Sequence, residues 1–242
     1  MTGPVLVVGA TGKVGEGIVA ALLEGGRQVI AAARTPNALA ALAQRMGDPE
    51  ALHCLAGSLE SDTAAAHLAR EAGALSAMVV AVNGARQPTP LSAISSEMMA
   101  DHLRADLLTH YIAVRHFLPL LPKGGCFIGI GGGSADFILE GGVAMSMAQA
   151  ALRQMYRGFA HEREGDAPAL RELILASVIT GREDRDADPL WVTAREVGDQ
   201  VRRMIDAPAD WPGAIWRMSR RGADGLPIIT PEPHTDARRL PL

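Results

Sequence analysis

The sequence predicts a doubly wound α/β fold, with a parallel sheet of about seven strands flanked by helices. Short β-branched runs alternate with Ala- and Leu-rich stretches of helical periodicity, and a glycine-rich turn joins the first run to the first helical stretch. With 48% hydrophobic and 21% charged residues, the chain is typical of globular proteins. We expect one domain over residues 1–219 and an irregular tail, rich in Pro, Arg and Gly, over residues 220–242.

Strands and helices are expected in alternation. The strands are predicted at residues 5–8, 28–32, 53–56, 77–82, 127–130 and 173–177, with a weaker strand at 214–218 that closes one edge of the sheet. The helices are predicted at residues 14–24, 38–46, 63–72, 94–118, 143–162 and 194–205.

Charge and hydropathy exclude several classes of partner. A net charge of -4 gives no electrostatic reason to expect nucleic acid or an anionic membrane as a partner. The longest apolar run is far below the roughly 20 residues that span a bilayer, and no secretory signal is visible, so a cytoplasmic location is the default expectation. Cys54 and Cys126 lie in apolar stretches without metal-ligand spacing, and neither a metal site nor a disulfide is predicted.

The turn after the first strand carries glycines at positions 9, 12 and 15. Glycines let the backbone N–H groups approach a pyrophosphate closely, and the N-terminus of the following helix adds partial positive charge. The sequence therefore predicts a dinucleotide site. Its expected contacts in this turn are Gly9, Thr11, Gly12, Lys13, Val14 and Gly15.

Arg34 ends the second strand, where a site selective for NAD would offer an acidic residue to the ribose 2′-hydroxyl. A guanidinium is suited to a 2′-phosphate instead, and Lys13 adds positive charge nearby. NADP(H) is therefore the expected cofactor.

The segments GATGKVG at residues 9–15, AAAR at 31–34 and VNG at 82–84 resemble the short-chain dehydrogenase/reductase family over residues 4–218. This resemblance implies a Rossmann fold and further cofactor contacts. Ser58 and Leu59 correspond to the family's adenine-contacting position after the third strand. Asn83 and Gly84 resemble its NNAG turn after the fourth strand.

The resemblance also implies four catalytic positions, and this chain departs from the family at each of them. Met145 stands in place of the tyrosine that acts as acid or base, and Gln149 in place of the lysine four residues later. Gly132 replaces the serine that orients the carbonyl, and Asp106 replaces the asparagine that supports a proton-relay water. Since a thioether transfers no proton near neutral pH and an amide carries no charge, the family's usual mechanism is not expected.

Other side chains could take over part of the chemistry. Ser134 lies two positions beyond Gly132 and could orient a carbonyl, although a backbone-bonded serine is the simpler interpretation. His102, Asp106 and His110 recur at a spacing of four residues, which favours the charged face of a subunit interface over a metal or acid-base site.

Three hypotheses remain open. The first is an NADP(H)-binding oxidoreductase acting on a small carbonyl or enoyl substrate, with the proton supplied by water or an unidentified acid. The second is a non-catalytic nucleotide-binding subunit, and the third a non-redox enzyme such as a lyase, isomerase or cyclase. The resemblance implies a homodimer or homotetramer through helices 94–118 and 143–162.

Overall fold

The computed structural model describes residues 3–84, 87–163, 167–181, 183–184 and 186–233. An eight-stranded sheet has the order β10-β9-β6-β5-β4-β1-β2-β3, with β10 antiparallel to β9 and the other neighbours parallel. Its strands are β1 (Val5–Val8), β2 (Val29–Ala33), β3 (Leu52–Ala56), β4 (Ala77–Val80), β5 (Cys126–Gly132), β6 (Ala169–Ala176), β9 (Ile215–Arg221) and β10 (Pro227–Pro231). A separate two-stranded sheet pairs β7 (Ile179–Thr180) with β8 (Val192–Thr193).

Helices cover both faces of the large sheet, which confirms the doubly wound α/β prediction. They are α1 (Lys13–Glu24), α2 (Pro36–Met46), α3 (Asp62–Ala72), α4 (Ser96–Leu103), α5 (Thr109–Phe117), α6 (Val143–His161) and α7 (Ala194–Asp206). One core layer packs α1, α2 and α7 against the sheet, and the other packs α3, α5 and α6 against its opposite face. Among the described residues, no helix is both long and apolar enough to cross a bilayer.

The prediction of one regular helix over residues 94–118 is corrected by the structure, which has a π-helical turn within this stretch. A π-helical turn over Arg104–Leu108 separates α4 from α5, and a 3-10 turn over Leu118–Leu120 follows α5. The Thr109 hydroxyl donates to the Arg104 carbonyl at 3.0 Å, five residues back. A π turn inserts one residue into the helical repeat, so positions before and after it no longer share the face that a regular period predicts.

The structure also corrects the prediction of an irregular tail over residues 220–242. β9 continues to Arg221, and a turn closed by the Gly222 N–H donating to the Leu226 carbonyl leads into β10. β10 and not β9 is therefore the edge strand, a place where the prolines at its two ends are tolerated. Residues 234–242 of the expected tail lie outside the described residues.

β6 begins four residues before the predicted start, because the Ala169 N–H pairs with the Gly125 carbonyl at 2.8 Å as the strand enters the sheet. The other predicted elements start and end within three residues of the predicted bounds, whereas β7 and β8 were not predicted. That the chain forms a single domain remains a prediction.

Candidate cofactor site

The glycine turn packs so closely that Gly9 and Gly15 have no room for a side chain. Gly9 has φ 85°, and a Cβ there would lie 2.3 Å from the Ala81 carbonyl oxygen. A Cβ at Gly15 would lie 2.1 Å from the Gly9 oxygen. Gly12 then caps α1, which begins at Lys13. The turn leaves β1 between β4 and β2, where the strand order reverses and α/β folds bind their ligands.

Arg34 directly follows β2 and is exposed. Within the described part of the chain it makes no ion pair, and no acidic side chain occupies the end of the strand. Ser58 is half-buried, whereas Leu59 is buried in the core layer beside α3. The cofactor contacts expected of these three residues stay predictions.

Lys13 points its ammonium to the segment that follows β7. Its Nζ lies 2.7 Å from Asp184 Oδ2 and 3.8 Å from Glu183 Oε1. The hydrogen bond to Asp184 raises the pKa of Lys13, and it lowers the pKa of Asp184 in turn. The charge that Lys13 was expected to add near Arg34 is thus neutralised by a carboxylate. Arg182 and Arg185 of the same charged segment lie outside the described residues.

Three of the predicted site residues meet at the carboxyl ends of β4 and β5. Gln149, buried on α6, accepts a hydrogen bond from the Gly132 N–H at 2.6 Å and donates to Asn83 Oδ1 at 3.5 Å. Gln149, which the resemblance aligns with the family's lysine, thus ties two strand ends to α6. An amide serves this purpose because it both accepts and donates, whereas an ammonium only donates.

Asp106, in the asparagine position, belongs to the π turn and is buried. Its Oδ1 accepts the Gly84 N–H at 2.8 Å, which fixes the turn after β4. Ser134 is buried in the 3-10 turn Gly133–Asp136, and Ser146 has a buried hydroxyl without a hydrogen-bond partner among the described residues.

A cavity of about 360 Å³ opens beside Met145, which is half-buried on α6. Its walls include Gly84 and the segments at residues 87–89 and 139–142. Among the described residues, the titratable side chains that line it are His102 and Glu140. Met145, which the resemblance aligns with the family's tyrosine, therefore lines this cavity.

The expectation of a charged subunit-interface face over His102, Asp106 and His110 is wrong, because Asp106 and His110 are buried within this chain. His110 is fully buried, 3.0 Å from the Tyr156 hydroxyl through Nδ1 and 3.2 Å from the Val82 carbonyl through Nε2. Since a carbonyl only accepts, Nε2 donates to the Val82 carbonyl, and Nδ1 accepts a hydrogen bond from the Tyr156 hydroxyl. Burial lowers the pKa of His110 to about 4, so the ring is neutral at neutral pH.

Glu172 is a buried carboxyl that sequence reasoning missed. It lies on β6, and its Oε2 has no hydrogen-bond partner among the described residues. A Cβ added at Gly131 would lie 1.9 Å from Glu172 Oε1, and one at Gly129 would lie 1.8 Å from the Tyr156 hydroxyl oxygen. The alternate glycines of β5 were the available signal, because they leave room for polar groups over the strand.

The chain is similar to a known protein family and to solved structures. A family model described as enoyl-(acyl carrier protein) reductase matches residues 9–167. A short chain dehydrogenase/reductase family oxidoreductase from Burkholderia thailandensis is 22% identical, with a TM-score of 0.77, over 90% of this chain and 91% of its own. No curated protein sequence matches the chain significantly.

Two further solved structures carry an altered site. The apo structure of a short chain oxidoreductase from Pseudomonas aeruginosa with an atypical catalytic center is 20% identical, with a TM-score of 0.76, over 90% of this chain and 95% of its own. An NADPH-bound structure of such an oxidoreductase from the same organism is 20% identical, with a TM-score of 0.74, over 88% of this chain and 93% of its own.

Proposed function

Because the chain belongs to the short-chain dehydrogenase/reductase family, we propose that it is an NADP(H)-binding oxidoreductase for a small carbonyl or enoyl substrate. Its proton transfer does not use the family's tyrosine and lysine. The observation that carries the cofactor assignment is Arg34, an exposed guanidinium at the end of β2 with no ion pair in the described part of the chain.

The glycine turn fits a dinucleotide. The contacts of Gly9 and Gly15 leave no space for a Cβ, so the backbone itself forms the surface against which a pyrophosphate would lie. Arg34 would hold the 2′-phosphate, and Asn83 and Gly84 would face the nicotinamide half from the end of β4. When bound, the cofactor supplies a hydride.

The proton would come from bound water or from His102, the imidazole in the cavity beside Met145. Gln149 positions the strand ends through Gly132 and Asn83 and moves no proton. The atypical catalytic center of the Pseudomonas oxidoreductase supports the idea that this fold accommodates an altered site.

A second candidate function is a non-catalytic, nucleotide-binding subunit. It is favoured by Gln149 and Asp106, which replace catalytic side chains and instead hydrogen-bond the backbone of this chain. In either case we propose a homodimer or homotetramer through the helices at 94–118 and 143–162, whose outer faces expose Leu108, Tyr111 and Met147. A cytoplasmic location stays a prediction.

Calorimetric titration of the purified protein with NADPH, NADP and NADH tests the cofactor assignment. We expect Arg34→Ala to weaken NADPH binding about 10- to 100-fold, the worth of one charge-assisted hydrogen bond, and to leave NADH binding unchanged. Arg203→Ala, which removes an exposed arginine from α7, is the matched control.

Equal NADPH affinity in Arg34→Ala and the control would refute the 2′-phosphate contact, and no binding of any dinucleotide would refute the oxidoreductase. If NADPH binds, loss of its absorbance with a panel of aldehydes, ketones and enoyl compounds separates the two candidates. Oxidation of NADPH indicates the enzyme, and tight binding without oxidation indicates the subunit.

A further inference from the structure

Asp184 accepts hydrogen bonds from two donors beside the glycine turn. The same oxygen, Oδ2, accepts from Lys13 Nζ at 2.7 Å and from the Gly181 N–H at 2.7 Å. Glu183 adds a second carboxylate 3.8 Å from the ammonium. An ammonium and a backbone N–H converging on one oxygen form the donor set that commonly binds a phosphate oxygen.

These donors lie beside the surface on which a pyrophosphate would lie. Lys13 is the first residue of α1, directly after Gly12 of the glycine turn. Gly181 directly follows β7, and so brings a second segment of the chain to the start of this helix. A carboxylate on these donors therefore brings negative charge to the helix N-terminus, where an anion is favoured.

The contact is also one that a ligand can displace. The Lys13 and Asp184 side chains are 40% and 35% exposed, and an ion pair with that access to water contributes little to stability. A dinucleotide brings a pyrophosphate with two negative charges, so it competes for the ammonium more strongly than a single carboxylate does.

We propose that Lys13 and the Gly181 N–H form a subsite for a phosphate of the dinucleotide, and that Asp184 occupies this subsite in the free protein. The inference rests on the proposed function, since it assumes that a dinucleotide binds at the glycine turn. The cofactor displaces Asp184 as it binds, and the acidic segment lowers the affinity of the free protein for its cofactor.

Calorimetric titration of the full chain with NADPH tests this, comparing Asp184→Asn with Asp186→Asn. Asp186 is exposed in the same segment, so its variant makes the same change in net charge. We expect Asp184→Asn to bind NADPH up to about fivefold more tightly than Asp186→Asn, which is the range for one surface ion pair. In a Lys13→Met background, where only the Gly181 N–H is left to compete for, the gain should become smaller.

Equal affinities in the two asparagine variants would overturn the inference while leaving the proposed function intact. Weaker binding in Asp184→Asn would also overturn it, since Asp184 would then hold the segment over a bound cofactor. If neither the wild type nor any variant binds NADPH, the inference and the proposed function fail together. Thermal denaturation of each variant identifies any loss of folded protein.

Discussion

The buried carboxyl of Glu172 is expected to make the stability of the protein fall as pH rises. Its side chain is 1% exposed, and burial raises its pKa from 4.5 to about 8. Four charged groups face it: Arg153 and Arg157 from α6, Arg217 from β9, and Glu232 beyond β10. The three guanidinium groups lower the pKa and Glu232 raises it, but desolvation is the largest effect.

The direction of this pH dependence follows from which state of the protein binds the proton. With a folded pKa of about 8 and an ordinary value of 4.5, the folded protein holds a proton that the unfolded chain releases between those values. The stability that Glu172 contributes is therefore fully present below pH 4.5, and it falls by about 1.4 kcal/mol per pH unit until pH 8. The total, about 5 kcal/mol, is as large as the whole stability of a marginal domain.

Glu172→Gln keeps the shape of the side chain and removes the ionisation. We expect its free energy of unfolding to exceed that of the wild type by an amount that grows between pH 5 and pH 8, to roughly 3–5 kcal/mol. Urea denaturation at unit steps of pH, followed by tryptophan fluorescence, measures the difference. Glu60→Gln, at an exposed position, is the control.

A constant difference between the wild type and Glu172→Gln across this range would refute the reasoning. It would mean that Glu172 is ionised in the folded state, held by the guanidinium groups around it. A difference that shrinks as pH rises towards 4.5, and is constant above it, would assign Glu172 a folded pKa below 4.5.

Two substitutions test the contacts around the strand ends. Gln149→Leu leaves the half-buried Gly132 N–H without its acceptor, so we expect a loss of about 1 kcal/mol in the free energy of unfolding. A loss below about 0.3 kcal/mol in urea denaturation would contradict the tie between α6 and β5. Gly129→Ala places a Cβ 1.8 Å from the Tyr156 hydroxyl oxygen, and we expect it to cost about 1–3 kcal/mol. The ring carbon Cζ of Tyr156 also lies 2.2 Å from that Cβ, so a loss below about 0.5 kcal/mol in urea denaturation would show that the whole side chain moves away at little cost.

Most of the fold could be predicted from the sequence because its signals are local. The periodicity of α6 and the β-branched run of β1 each specify an element within a few residues. The π turn was missed because a single inserted residue leaves the helical pattern on either side intact. β10 was missed because it has a proline at each end, although Asp224-Gly225 is a turn signal.

The sequence by itself determined the α/β class, the glycine turn and the position of Arg34 at the end of β2, and it predicts the replacement of the family's four catalytic residues. All of these depend on the order and spacing of neighbouring residues. Only the tertiary structure decided which polar groups meet: Lys13 with Asp184, His110 with Tyr156, and Glu172 with the space over Gly131. These pairs are separated along the chain, so their contact depends on how the strands and helices pack and not on any local pattern.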